Sequence, residues 1–137
     1  MQQTYRAFVT DNAHRFAELF GHLLESDVPT VFHCTAGKDR TGFAAALLLR
    51  ALGVDEQTVM QDYLLTNDLY RRPRVAHSDL PLEVLQVVWQ VQAEFLHAAL
   101  DAVNRDYGGL PRYPERGLNL DQVAIKRLVA LYLEPPR

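Results

Sequence analysis

The sequence predicts an α/β domain in which amphipathic helices surround one short buried strand, with a glycine-bearing loop between that strand and the helix after it. Three observations carry the prediction. Apolar residues recur at helical spacing through most of the chain. Pro29 interrupts the first such stretch, and residues 30–33 behind it (Thr30-Val31-Phe32-His33) are apolar and β-branched, the pattern of a buried strand. Residues 34–42 then hold two glycines before the helical period resumes.

Taken in order, the first helix is expected over residues 4–25. Phe8, Val9, Ala13, Phe16, Leu19, Phe20, Leu23 and Leu24 form its apolar face, and His14, Arg15, Glu18 and His22 turn to water or a partner. After the strand and loop, an apolar helix covers residues 41–52 and closes at Gly53. Asp55 caps the next, which carries Val59, Met60, Tyr63 and Leu64 toward Asn67 or Tyr70. Arg71-Arg72-Pro73-Arg74 breaks it, and the stretch to Pro81 reads as loop. Residues 82–104 make the longest helix, with Leu85, Val88, Val91, Phe95, Ala99 and Val103 in register. Residues 107–117 hold three glycines and two prolines and read as a turn-rich connection. A last helix over residues 121–133 buries Ile125, Leu128 and Leu131. One strand cannot satisfy its own backbone groups. Either one of the helical stretches is really a strand, or its neighbours come from outside the chain, from a missing N-terminal part or from a second copy exchanging strands.

Composition bounds the function. The 137 residues (15.6 kDa) fit one domain, 1–137, and 48% hydrophobic with 23% charged residues describes a chain that folds around a core. A net charge of -3 gives no global pull toward nucleic acid, so anion binding has to be local. The single cysteine rules out an internal disulfide. The longest apolar run, residues 43–49, is far short of a membrane span, and the first six residues lack a signal peptide's apolar core. A cytoplasmic domain without stable membrane insertion is the expectation.

The chemistry is concentrated in residues 33–43. Cys34 and Arg40 stand six positions apart between strand and helix. Successive N–H groups of Thr35, Ala36, Gly37 and Lys38 form an anion nest, and the helix beginning near Arg40 adds its positive end. Gly37 and Gly42 let the main chain approach closely. Arg40 offers a planar fork to two phosphate oxygens, and Lys38 adds charge. A thiol at the base of such a nest loses its proton more readily than its ordinary pKa of about 8.5 allows. It then attacks the held phosphate in line and forms a phosphocysteine that water hydrolyses. Thr41 donates its hydroxyl to the sulfur, and His33 fixes the loop through carbonyls. Asp39 serves either as proton donor to the leaving oxygen or as a bridge to Arg40 or Lys38.

The segment His33-Cys34-Thr35-Ala36-Gly37-Lys38-Asp39-Arg40-Thr41-Gly42 resembles the signature of cysteine-dependent tyrosine and dual-specificity phosphatases. More narrowly, it is similar to the bacterial tyrosine phosphatases that share a lysine-bearing loop with lipid phosphatases. Asp62-Tyr63-Leu64-Leu65-Thr66-Asn67 and the segments Tyr107-Gly108-Gly109 and Gly117-Leu118-Asn119-Leu120 look like later parts of the same group. The resemblance implies a central sheet flanked by helices, a Cys34 nucleophile, an Arg40 phosphate anchor, and Lys38 and Asp39 at matching loop positions. It implies no cofactor, and phosphotyrosine, phosphoserine or phosphoinositide substrates. The resemblance also implies a substantial N-terminal region before the first helix, so the chain is expected to be either a fragment or a short form that completes its sheet by exchange between subunits.

Other readings stand beside it. A sulfurtransferase also uses a loop cysteine before a helix, but Lys38-Asp39-Arg40-Thr41 suits a doubly charged phosphate better than a persulfide. A phosphate-binding module without turnover is the alternative if the missing part carried the acid. Arg71, Arg72 and Arg74 form either a solvated loop or a rim contact for an anionic substrate. His14 and His22, eight apart, do not form a metal pair on adjacent turns. Tyr107 and Tyr113 line a groove or simply pack their turn.

Overall fold

The computed structural model describes residues 1–25, 28–71 and 79–134. Nine helices form among them: α1 (Gln2–Thr10), α2 (Ala13–Glu25), α3 (Asp39–Ala51), α4 (Glu56–Leu64), α5 (Thr66–Leu69), α6 (Leu82–Trp89), α7 (Ala93–Tyr107), α8 (Tyr113–Leu118) and α9 (Gln122–Tyr132).

The fold class is therefore corrected from α/β to all-helical. No strand forms among the described residues, and residues 30–33 lie in an irregular segment with Val31 90% exposed. A strand exists only through its ladder, and none of the described residues provides a neighbour for this one. The cysteine-phosphatase-like central sheet implied by the loop's resemblance likewise has no counterpart among the described residues.

Three helix boundaries also differ from the periodicity. The first predicted helix is two, because Asp11 and Asn12 break it. Asn12 turns its side-chain amide back to the Ala7 carbonyl at 3.0 Å, and its own carbonyl accepts from Arg15 N–H to start α2. The longest predicted helix is also two, parted by the extended residues Gln90 and Gln92. The turn-rich connection contains α8.

Other boundaries stand where side-chain chemistry puts them. At the end of α3, Gly53 N–H donates to the Arg50 carbonyl and Val54 N–H to that of Leu49, the paired closure of a glycine-terminated helix. Asp55 and Asp121 accept from Thr58 N–H (2.9 Å) and Ala124 N–H (2.7 Å) and start α4 and α9. His14, Arg15, Glu18 and His22 face water, as their positions on α2 predict.

The core forms where α1, α2, α3 and α7 meet. Tyr5, Phe8, Phe16, Phe43 and Phe95 interlock, with Phe43 5.0 Å edge-on to Phe16 and 5.8 Å from Phe8, and Tyr5 5.6 Å from Phe95. Ala99, Ala102 and Val103 give α7 a small-residue face against α1. α9 closes the other side: Arg127 Nε and Tyr132 Oη donate to the Leu24 and Leu23 carbonyls at the last turn of α2. The site is thus mounted on α3, whose first buried ring, Phe43, sits at the centre of the aromatic cluster. Phe43→Ala empties that centre and is expected to lower stability to urea by about 3–5 kcal/mol; an unchanged midpoint would show the cluster does not carry α3.

Candidate active site

Residues 34–38 leave the irregular segment and curl into the first turn of α3. Gly37 N–H donates to the Cys34 carbonyl at 3.2 Å, and Gly37 holds φ +64°, a conformation that side chains rarely adopt. Lys38 precedes α3, and its carbonyl accepts from Gly42 N–H at 2.9 Å. The turn directs main-chain donors at one atom, the Cys34 sulfur.

That sulfur is half-buried. Burial pushes the thiol pKa up, but it is outweighed by the Thr41 hydroxyl and by the N–H groups of Thr41, Lys38 and Gly37, and the value falls to about 6. Thr41 works in both directions. Its Oγ1 accepts from Cys34 N–H at 3.0 Å, which leaves its own proton for the sulfur. His33 Nδ1 lies 3.3 Å from the Cys34 carbonyl, the loop-fixing contact expected of it. Arg40 is exposed, with Nη2 donating to Thr35 Oγ1 at 3.2 Å, and it borders the same groove as Cys34. The groove has a volume of about 470 Å³. Its apolar wall is Phe8, Phe16, Leu19 and Phe32, with Asn12 and Arg15 at the polar margin.

Lys38 and Asp39 do not face this groove. The Lys38 ammonium is 1% exposed and turned inward, 2.7 Å from each Asp39 carboxylate oxygen and 3.2 Å from the Gln90 carbonyl. Asp39 Oδ1 also accepts from Tyr5 Oη at 2.9 Å, and Tyr5 Oη accepts in turn from Tyr63 Oη at 2.7 Å. Burial, first, and the Tyr63 bond hold the Tyr5 phenol well above its ordinary pKa, so it remains a neutral donor. Tyr63 lies against Gly42, where an added Cβ would meet its ring at 3.1 Å. Asn67 completes the support by bonding both backbone groups of Val91, at 2.8 and 2.9 Å.

The structure thus brings Cys34, Thr35, Gly37, Arg40 and Thr41 together, presents Lys38 through its main chain, and sends the side chains of Lys38 and Asp39 into a supporting network. Ala36 is an exposed residue of the same turn. Tyr5, Tyr63, Asn67 and Gln90 support the loop from far along the sequence. The pattern of residues 62–67 was the sequence signal for Tyr63 and Asn67; nothing marked Tyr5 or the Gln90 carbonyl. Arg71 is exposed, and Arg72 and Arg74 lie outside the described residues.

Comparison with known proteins places this geometry. Residues 1–134 match the tyrosine phosphatase family. The chain belongs to that family. It is 34% identical over 151 aligned positions to the triple specificity protein phosphatase PtpB of Mycobacterium tuberculosis, covering 97% of this chain and 54% of that protein. A protein of Cupriavidus necator assigned by name to the tyrosine-protein phosphatases is 35% identical over 102 positions, 70% of this chain and 37% of its own. A tyrosine-protein phosphatase of Nostoc commune is 34% identical over 65 positions, 47% of this chain and 22% of its own. The chain spans about half the length of the first of these tyrosine phosphatase family relatives, and less of the others.

Alkylation of Cys34 by iodoacetamide is expected to rise with pH through a midpoint at about 6. Thr41→Ala removes a hydrogen bond to the sulfur and should move that midpoint upward, so less thiolate is present at any pH between the two values. An unmoved midpoint in the variant would show that Thr41 does not stabilise the thiolate.

Proposed function

We propose that residues 1–137 carry the catalytic centre of a phosphate monoester hydrolase that uses Cys34 as nucleophile. One observation carries the reading: a thiol with its pKa lowered to about 6 by Thr41 and three loop N–H groups, beside a groove bordered by Arg40. The Cys34 thiolate attacks phosphorus while the bond from phosphorus to the ester oxygen breaks. The N–H groups around Thr35, Ala36, Gly37 and Lys38, with the Arg40 guanidinium, hold the equatorial oxygens, where charge is spread in the transition state. Water then attacks phosphorus, the S–P bond breaks, and inorganic phosphate leaves as the thiolate is restored. The Thr41 hydroxyl stabilises that thiolate as it departs.

Asp39 is assigned the proton that goes to the leaving oxygen. Its carboxylate is engaged by Lys38 and Tyr5, so the step requires it to leave those partners, take up a proton from solvent and pass that proton to the ester oxygen as the bond from phosphorus breaks. The same engagement favours a second reading, a phosphate-binding module with little turnover. The aromatic wall of the groove suits an aryl phosphate, and phosphorylated proteins and phosphoinositides are the proposed substrate classes. Association of copies through the exposed apolar stretch at Val31 and a cytoplasmic setting belong to the same proposal. Among the described residues, no helix is long and apolar enough to cross a membrane.

Turnover of p-nitrophenyl phosphate by the whole chain is the first test. Cys34→Ser is expected to lose at least ~10³-fold in kcat, and Arg40→Ala about 10²- to 10³-fold. A Cys34→Ser variant at full rate would sink the mechanism. Tight binding of a phosphotyrosine peptide by a wild-type chain that does not turn over would select the binding-module reading instead. A panel of phosphotyrosine, phosphoserine and phosphoinositide then ranks the substrate classes.

A further inference from the structure

Nothing local in residues 82–107 stops a helix. The run holds no glycine and no proline, and Leu85, Val88, Val91, Phe95, Ala99 and Val103 keep helical spacing through it. The chain is nevertheless extended at Gln90 (φ -114°, ψ 159°) and Gln92 (φ -131°, ψ 145°), where α6 ends and α7 begins. In an unbroken helix the main chain of Val91 would bond to Val87 and Phe95. In the break it is buried, and its N–H and C=O need other partners. The Asn67 side chain supplies both: Oδ1 accepts from Val91 N–H at 2.8 Å, and Nδ2 donates to the Val91 carbonyl at 2.9 Å. Aspartate in its place would offer no donor, and leucine, of similar shape, would offer neither group. One residue earlier, the Gln90 carbonyl is free of any helix and accepts from Lys38 Nζ at 3.2 Å.

We propose that Asn67 is a positioning residue for the Cys34 loop: it holds the α6–α7 junction extended, which aims the Gln90 carbonyl at Lys38, and the arrangement it excludes is one continuous helix through residues 82–107. In that helix the Gln90 carbonyl would accept from Glu94 N–H, four residues on, and turn away from Lys38. The buried ammonium would then have Asp39 alone, one acceptor short of its present set, and its side chain would shift to find another. The Lys38 main chain moves with it. That main chain carries one of the N–H groups directed at the Cys34 sulfur and the carbonyl that receives Gly42 N–H. Asn67 touches neither sulfur nor substrate and acts through Val91, Gln90 and Lys38. Its consequence for turnover rests on the hydrolase reading; its consequence for the sulfur does not.

The test reads the full chain in three ways: main-chain NMR shifts of Gln90, Val91 and Gln92, the pH midpoint of Cys34 alkylation, and kcat/KM on p-nitrophenyl phosphate. Asn67→Leu is expected to turn those shifts from extended to helical, to raise the midpoint by about half a pH unit or more, and to lower kcat/KM by about 10- to 100-fold. Asn67→Asp keeps the acceptor and should show the same changes at smaller size. Ala93→Pro supplies a rescue. Ala93 opens α7, where proline is tolerated, and Gln92 already has the backbone favoured before a proline, whereas in a continuous helix the ring would strike the Trp89 carbonyl. Alone, Ala93→Pro should leave all three readouts unchanged. Added to Asn67→Leu, it should restore the extended shifts and most of the midpoint while lowering Tm further, because Val91 then keeps unpaired groups. A role in stability alone would not separate Tm from the midpoint in this way. The inference is overturned if Asn67→Leu keeps the native midpoint, if residues 90–92 stay extended in it, or if Ala93→Pro restores nothing. Should Asn67→Leu not fold, a native midpoint in Asn67→Asp overturns it equally. Alkylation needs no turnover, so a chain that hydrolyses nothing would sink the hydrolase reading and still decide this one.

Discussion

A buried ammonium group is the constraint on which the site depends. Lys38 stands at the junction of loop and helix, and burying its charge is tolerable only with close partners. Asp39 supplies the counter-charge and the Gln90 carbonyl a further acceptor, so the loop, the start of α3 and the connector between α6 and α7 are tied at one point. The hydroxyls of Tyr5 and Tyr63 extend the tie to α1 and α4, and Asn67 clamps the same connector one residue further on. Elements from five parts of the chain thereby fix the backbone of a short turn.

The fixed backbone is what allows the sulfur to be an anion. Burial alone opposes a thiolate, and only donors already aimed at the sulfur reverse the sign. The Thr41 hydroxyl and the loop N–H groups do so without waiting for a substrate, which is the sense in which the site is preorganised. The apolar wall of Phe8, Phe16, Leu19 and Phe32 comes from the same aromatic packing that seats α3, so core and groove share residues.

The sequence showed most where the chemistry is contiguous. Cys34, Arg40 and Thr41 announce themselves within eight residues, and the helix closure at Gly53 and the cap at Asp55 rest on local rules that tertiary structure did not override. The break between α6 and α7 was invisible because Val88, Val91 and Phe95 keep helical spacing across it. It is held by Asn67 and Lys38 from elsewhere in the chain. A bridge from Asp39 to Lys38 was one of the two readings the sequence left open, but the inward turn of Lys38 was hidden because nothing marks the Gln90 carbonyl as its further acceptor. Residues 30–33 have the composition of a strand, but composition does not supply the neighbour a strand requires, and the described fold is helical throughout.

The most direct measurement of the central claim is rapid acid quenching of the whole chain during turnover of an aryl phosphate, followed by mass spectrometry of the peptide that contains Cys34. The account predicts one phosphoryl group on the Cys34 sulfur, formed and lost at rates compatible with turnover. Continued hydrolysis with that sulfur never phosphorylated would contradict it.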